Sequence, residues 1–489
     1  MITYNLIDFD LEKLKILVGD FLTEEDKEIL KKSISSSIVK SFLIEHPFVC
    51  KDYRDKYYND FSKRFGEFRR YSLRIHLFSK SPDEIGDVEH LTRNITQNQD
   101  YYLGYFVLRD TKKNSLGTTY INPKAYIGYN KENNYVLSKY PVHIYGSELF
   151  VDAFPWMQQD GNVTRCAQVS IWSVVRYFSQ KYPKYSEQTA YQISSLAEYD
   201  TRKVPSKGLT VNQISQILSK CGFSSEIYMR EYVDKNSKDL FNKILYSSIE
   251  SGMPCIAGLE DKKHAVVVVG HGPINSAIKY CRFKKGIYDS SNLVSTLIIS
   301  DDNYLPYLPI LYNGRCDSVY SIKDIDSIVV PFYNRMYLDV IYIYETILPV
   351  LEDNELKLDN KCAYIRRVFL TSSKSFKMQV NKSIDEKYKE YCIKSPMPKF
   401  IWIIEYAHPE DYGHNKKVFV RILLDATAIN NVKAEDAVIN YKKGRKLYIN
   451  ENYYYMNRNE DEFVSIKRFG EHNLLEEKEN IYINNLHNI

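Results

Sequence analysis

A run of four valines constrains the fold of this chain more than any other feature. Residues 266 to 269 are all valine, in the segment His264-Ala-Val-Val-Val-Val-Gly270. Branched side chains favour strands, and a strand that is apolar on both faces must be covered on both faces. The segment therefore predicts a strand that is buried on both sides of its sheet.

The chain is long enough for several domains. It has 489 residues, of which 44% are hydrophobic and 26% are charged, values that are typical of folded proteins. At roughly 150 residues per domain, this length predicts about three domains. We predict an α+β fold with domains at residues 1–145, 146–335 and 336–489, the two outer ones being α/β or α+β.

Local patterns assign elements to each domain. In the middle domain, apolar spacing predicts a helix over residues 165–180, and the capping box Thr210-Val-Asn-Gln213 predicts another. Strand patterns follow at residues 255–258, 264–270 and 295–300. In the outer domains we predict a helix through residues 28–44, a frayed tail after residue 471, and strands at residues 71–78, 101–109, 118–121, 336–344, 400–405 and 418–424.

The charge pattern and the absence of several motifs argue against some functions. The net charge is +4 and both signs are mixed along the chain, so nucleic acid is not a predicted partner. The sequence contains no GxxxxGK[ST] or GxGxxG phosphate loop and no GxSxG serine motif. It also lacks a signal-peptide pattern and any run of about 18 apolar residues, so we predict a cytoplasmic protein without a membrane span.

The sequence does not predict a metal site or a cofactor. The eight cysteines are scattered, without a CxxC pair or zinc-ligand spacing, and most are predicted to be reduced and buried. Acidic residues and histidines cluster in the predicted C-terminal domain, but they lack HExxH spacing. Pro and Gly lie between them, which predicts a solvated loop. This cluster comprises Glu405, His408, Glu410, Asp411 and His414.

Cys166 is the cysteine in the most reactive predicted position. It falls in the first turn of the helix predicted over residues 165–180, after the loop Asp160-Gly-Asn-Val-Thr164. The positive end of a helix and its unpaired backbone N–H groups favour the thiolate, which is the reactive form. Taken alone, a small buried side chain is the commoner role for a cysteine.

Residues on both sides of Cys166 complete a possible catalytic set. Upstream, Gln158 or Gln159 can donate a side-chain N–H to an oxyanion, and the Cys166 N–H can donate a second. Downstream, His264 begins the valine strand, where a rigidly held base could reach the thiol. His271 competes with it but lies at the other end of that strand.

The third residue of the set follows the strand predicted at residues 295–300. Asp301 or Asp302 could orient the imidazole and stabilise its charged form, and Asp301 is slightly favoured because it is the first residue after the strand. Ordinary turn chemistry accounts equally well for acids at this position. The order Gln, Cys, His, Asp is therefore more informative than any single residue.

Residues 158–302 contain Gln, Cys, His and Asp in this order. They resemble the papain-like cysteine peptidases, in particular the bacterial branch that includes the bacteriocin-leader-processing peptidases. The segments GLTVNQISQILSKCGF, SGMPCIAGL and HAVVVVGHG carry the resemblance. That branch usually has Cys-Gly at the nucleophile and Asp-Pro at the acid, where this chain has Cys166-Ala167 and Asp301-Asp302-Asn303. For the regions on either side, residues 1–145 and 336–489, we can name no family that they resemble.

The resemblance implies a peptidase that cleaves an amide bond of a protein or peptide through an acyl-enzyme. Cys166 would be the nucleophile, His264 the base and Asp301 or Asp302 the third member of a triad. An acyltransferase or transglutaminase-like enzyme of the same fold would use the same residues, and a catalytically dead binding module is a further alternative. The flanking domains are candidates for binding a protein partner.

Overall fold

The computed structural model describes residues 2–86, 99–161, 164–198, 208–235, 237–274, 283–312, 319–457 and 462–487. Within these ranges the chain has a mixed α+β fold, as predicted, with helices packed against three large sheets and two small ones. The α-helices are Leu11–Val18, Glu24–Ser33, Lys51–Asn59, Pro82–Ile85, Cys166–Lys181, Ala190–Leu196, Val211–Lys220, Arg230–Val233, Leu240–Glu250, Val340–Tyr342, Leu348–Leu351, Ser373–Val380, Glu386–Lys394 and Ala434–Ala437.

The N-terminal sheet has five antiparallel strands. Their order is Thr3–Asp8, Ser41–Phe48, Ser72–Phe78, Tyr102–Leu108 and Leu116–Ile121. The helix predicted through residues 28–44 is wrong beyond Ser33, where the helix ends. Serine side chains compete for backbone hydrogen bonds, and the serines at 35 to 37 follow that end. The segment Ser41–Phe48 instead pairs with a strand on each side.

The central sheet contains the predicted histidine strand. Its order is Leu308–Leu311, Thr296–Ser300, His264–His271, Cys255–Leu259, Ser327–Phe332 and Ser224–Met229. The valines at 266 to 269 are at most 1% exposed, which confirms the prediction of a strand buried on both faces. Helix Cys166–Lys181 packs against this strand, and Asn134–Tyr135 pairs with its far end at Gly270 and His271.

The C-terminal sheet has seven strands. Their order is Gly286–Asp289, Ala363–Ser372, Phe400–Ala407, Val420–Asp425, Val438–Lys443, Lys446–Asn457 and Glu462–Asn473. The strand predicted over residues 336–344 is wrong, because this segment enters a helical stretch. Asp339 caps that stretch by accepting a hydrogen bond from the Ile341 N–H (3.2 Å), and the buried positions 340, 343, 347 and 351 recur at helical spacing.

One cluster of buried apolar side chains contains residues from all three predicted domains. It includes Leu14 and Phe106 from the first predicted domain, Trp172 and Val267 from the second, and Trp402 from the third. The sheets also cross the predicted boundaries, since Gly286–Asp289 pairs with the strand Ala363–Ser372. The three parts of the chain therefore share a core around helix Cys166–Lys181.

The tail after residue 471 is packed, so the prediction that it is frayed is wrong. Tyr482 is 1% exposed, and its hydroxyl lies 2.7 Å from the hydroxyl of Thr371. The Asn485 amide donates to the backbone oxygens of Glu250 and Leu370, at 2.9 and 2.8 Å. Polar side chains in this tail thus satisfy buried backbone groups. Across the described residues, no helix is both long and apolar enough to cross a membrane.

Candidate active site

Cys166 is the first residue of helix Cys166–Lys181, as the sequence predicts. Arg165, before it, is extended, and the Gln168 side chain accepts a hydrogen bond from the Arg165 N–H (3.2 Å). The thiol is half-buried, whereas the helix behind it is almost entirely buried from Ala167 to Phe178. The helix thus holds the sulfur at its positive end, where N–H groups have no helical partner.

The loop before Cys166 is fixed by a buried ion pair from the N-terminal region. Lys56, on helix Lys51–Asn59, pairs with Asp160, and the two side chains are 2% and 3% exposed. Lys56 Nζ also donates to the Thr164 hydroxyl (3.1 Å), and the Thr164 N–H donates to Asp160 Oδ1 (3.2 Å). Sequence reasoning missed Lys56, since nothing in its local pattern distinguishes it from a surface lysine.

The same N-terminal helix also anchors the helix of Cys166. Asp52 Oδ1 accepts a hydrogen bond from Trp172 Nε1 (2.9 Å), and Arg176 Nη2 lies 3.0 Å from Asp52 Oδ2. All three side chains are buried. Residues upstream of residue 146 therefore position both the loop before Cys166 and the helix that Cys166 begins.

His264 lies between Cys166 and Asp301. Its Nε2 is 2.9 Å from Asp301 Oδ1, so Nδ1 is the ring nitrogen left to face Cys166. Burial acts to lower the pKa of His264, but side-chain hydrogen bonds to Asp301 and Cys166 outweigh it and raise the pKa to about 10. This environment favours the imidazolium, the form that pairs with a thiolate.

The two aspartates occupy different positions around His264. Asp301 is fully buried, its backbone oxygen accepts a hydrogen bond from Trp156 Nε1 (2.5 Å), and its Oδ1 accepts one from the Asn303 N–H (2.9 Å). The nearest Asp302 oxygen is 3.7 Å from His264 Nε2, beyond a hydrogen bond. Burial and the adjacent Asp301 raise the pKa of Asp302 to about 7.

The side chains of Gln158 and Gln159 lie in different surroundings. Gln158 is buried, and its Oε1 accepts a hydrogen bond from the Leu116 N–H of the N-terminal sheet (3.3 Å). Gln159 Nε2 donates to Asn303 Oδ1 (3.2 Å), and the Asn303 amide nitrogen is 3.4 Å from His264 Nε2. Gln159 is therefore tied to the cluster that contains His264.

Tyr320 belongs to the site although no sequence motif marks it. Its ring stacks on His264, with centroids 5.8 Å apart and planes 22° apart. Burial and the nearby negative charge of Asp301 raise the pKa of Tyr320. The ring covers the imidazole, and the hydroxyl is influenced by the acid that contacts His264.

The other candidate groups lie away from Cys166. His271 is buried at the far end of the strand, with Nε2 3.0 Å from Glu250 Oε1. In the predicted C-terminal loop, Glu405 is instead buried in a strand, 2.7 Å from Arg421 Nη2, and Asp411 pairs with Lys478 (2.8 Å). Among the described residues, the one group arranged like metal ligands is His264, Asp301 and Asp302, whose donor atoms lie within 4.8 Å of one another.

Comparison with known proteins adds no information about the site. No protein-family model matches the sequence, and no curated protein or solved structure is significantly similar to it.

Proposed function

We propose that this protein is a cysteine hydrolase, specifically a peptidase, with a papain-like catalytic domain near residues 146–335. The observation that carries the proposal is the position of His264, whose Nε2 lies 2.9 Å from Asp301 Oδ1 and whose pKa is raised by its interactions with Asp301 and Cys166. A thiol at a helix start, a base at a strand start and a buried acid behind the base are the components of thiol-based nucleophilic catalysis.

The reaction would begin from a thiolate–imidazolium pair. The Cys166 thiolate attacks the carbonyl carbon of an amide, and the resulting oxyanion accepts hydrogen bonds from the Cys166 N–H and from Gln158 or Gln159. His264 then donates its Nδ1 proton to the leaving nitrogen, which departs as an amine and leaves a thioester on Cys166. Finally His264 takes a proton from water, the hydroxide attacks the thioester, and the acid and the thiolate are released.

Asp301 would act through His264 rather than on the substrate. By accepting from Nε2–H it fixes the tautomer that leaves Nδ1 toward the sulfur, and its negative charge stabilises the imidazolium. The substrate class that fits this chemistry is a protein or peptide. The flanking regions remain candidates for a protein partner, and one of them supports the nucleophile loop through Lys56.

The test is the pH dependence of Cys166 alkylation by iodoacetamide, followed by peptide mass spectrometry. An isolated thiol reacts appreciably only near its reference pKa of about 8.5. In wild type we expect fast modification already at about pH 6, with little change up to about pH 9, because the imidazolium holds the thiolate across that range. In His264→Ala this plateau should disappear.

A matched control is His143→Ala, which removes an exposed histidine far along the chain from the site. Its alkylation profile should match that of wild type. If wild type and His264→Ala both react only near the ordinary thiol pKa, the ion pair is absent and the proposal is wrong. Once the ion pair is established, product analysis with and without an added amine separates hydrolysis from acyl transfer.

A further inference from the structure

We propose that His264, Asp301 and Asp302 bind one Zn²⁺ ion, on the side of the imidazole that faces away from Cys166, and that this ion reversibly inhibits the site. The inhibitory consequence rests on the proposed function, whereas the binding itself does not. The ligand class is a small divalent ion that accepts nitrogen and carboxylate donors, and Zn²⁺ is the common biological example.

The geometry of three donor atoms supports the site. His264 Nε2 lies 2.9 Å from Asp301 Oδ1 and 3.7 Å from Asp302 Oδ1, and one donor atom from each residue falls within a 4.8 Å cluster. Zinc binds histidine nitrogen and aspartate oxygen at about 2.0–2.2 Å, so atoms at these separations can share one ion after small shifts. Water would complete the coordination.

Asp302 provides an independent observation. Its side chain is 2% exposed, and neither carboxylate oxygen has a hydrogen-bond partner among the described residues. Buried carboxylates are normally hydrogen-bonded or ion-paired, because leaving them without a partner is costly. Here one unpartnered oxygen points toward His264 Nε2, where a metal ion would lie.

The local charge also favours a dication. Within the described part of the chain, no lysine or arginine forms an ion pair with Asp301 or Asp302, and His264 is the one cationic group paired with them. Among the described residues, these two adjacent buried carboxylates therefore face a single positive charge. Either a shared proton or a divalent ion can relieve this repulsion, and the ion compensates both acids at once.

Zinc at this position would remove the imidazolium from the reaction. The Nε2–H bond breaks, its proton goes to solvent, and the Nε2 lone pair forms the bond to Zn²⁺. The ring proton left on Nδ1 then belongs to a neutral, metal-bound imidazole, which is a much weaker acid than imidazolium and donates poorly to the leaving nitrogen. Chelation of the ion restores the imidazolium and the thiolate.

Metal binding by full-length protein tests the proposal. Zn²⁺ is titrated against a chromophoric chelator, and the stoichiometry is measured by elemental analysis. We expect one Zn²⁺ per chain in wild type and in Cys166→Ala, because the sulfur is not a ligand. Replacement of a ligand oxygen in Asp302→Asn should weaken binding by at least about tenfold. Asp261→Asn, an exposed acid in the turn before His264, is the control and should bind like wild type.

Co²⁺ offers a readout on unmutated protein. We expect a d–d spectrum without a thiolate charge-transfer band, as nitrogen and oxygen ligands give. A charge-transfer band that disappears in Cys166→Ala would place the metal on the sulfur and overturn the proposal. Absence of stoichiometric binding by wild type, or unchanged affinity in Asp302→Asn, would also overturn it and would leave a shared proton as the occupant. Because Cys166→Ala is expected to bind zinc, failure of the hydrolase proposal and failure of the metal proposal are distinguishable.

Discussion

The Nε2 atom of His264 lies 2.9 Å from Oδ1 of Asp301, an acid whose side chain is completely buried. An acid in this position determines which ring nitrogen faces the sulfur, because Nε2 must carry the proton that it donates to Asp301. The distance to Asp302 is 3.7 Å, so the two neighbouring acids are expected to differ in their effect on Cys166.

Replacing Asp301 by asparagine should therefore slow the alkylation of Cys166. Asparagine keeps the shape but removes the charge and can select the wrong tautomer, and we expect a rate at about pH 6 at least about tenfold below that of wild type. Asp302→Asn should have a smaller effect, since Asp302 makes no hydrogen bond to the ring. Equal rates in wild type and Asp301→Asn would show that Asp301 does not orient His264.

Tyr320 should position His264 through both its ring and its hydroxyl. Tyr320→Phe keeps the stacked ring and removes the hydroxyl that interacts with Asp301, which should slow alkylation by about two- to tenfold. Tyr320→Ala loses both contacts and should be slower still, with the acidic limb of the pH profile moved to higher pH. The measurement is the same alkylation profile. An alanine variant that reacts like wild type would remove Tyr320 from the site.

Lys56 should be needed for stability as well as for the geometry of the nucleophile loop. Lys56→Met leaves the buried Asp160 without its lysine, which should lower the free energy of unfolding by about 3–5 kcal/mol. Urea unfolding followed by circular dichroism measures this change. The control Lys51→Met removes an exposed ion pair on the same helix and should cost less than about 1 kcal/mol. Similar losses in both variants would mean that burial of the pair contributes nothing.

His76 should make the protein less stable as the pH falls. It is fully buried, and burial lowers its pKa from 6.5 to about 4 despite a hydrogen bond to Glu45, with Arg74 also nearby. Between these two pKa values the unfolded chain binds a proton that the folded chain does not. The contribution of His76 to the free energy of unfolding is therefore fully present above about pH 6.5. It falls by up to about 3 kcal/mol as the pH approaches 4.

The His76 contribution is isolated by comparing two unfolding curves. Wild type and His76→Gln are unfolded in urea at several pH values between neutrality and about pH 4. Glutamine retains a polar contact for the Tyr102 hydroxyl, which lies 3.0 Å from His76 Nδ1. The unfolding free energy of wild type minus that of His76→Gln should decrease as the pH falls, because only wild type carries the His76 contribution. A difference that does not change with pH would contradict the assigned pKa.

Elements with strong local patterns could be predicted from the sequence. The valine strand is apolar on both faces, and the capping box at Thr210 begins a helix where predicted, with its hydroxyl accepting the Gln213 N–H (3.3 Å). Residues 336–344 alternate like a strand, yet they enter a helical stretch capped by Asp339. Alternation and helical spacing overlap in so apolar a segment, and burial against the neighbouring sheet decides between them.

The candidate site was predictable where a side chain follows an element boundary. Cys166, His264 and Asp301 each stand at the start or end of a helix or strand, so their meeting required only the order of those elements. Lys56 and Tyr320 reach the site from distant positions through tertiary packing. Their local sequences resemble those of ordinary surface or core residues, so they do not predict the contacts of Lys56 with Asp160 or of Tyr320 with His264.

The Lys56–Asp160 and Asp52–Arg176 pairs make the region before residue 145 part of the framework that positions Cys166. A fragment limited to residues 146–335 would leave Asp160 without its lysine and the indole N–H of Trp172 without its acceptor. The smallest active unit should therefore extend upstream to include the five-stranded sheet. Separation of these parts would remove the buried side chains that hold the loop and the helix of Cys166.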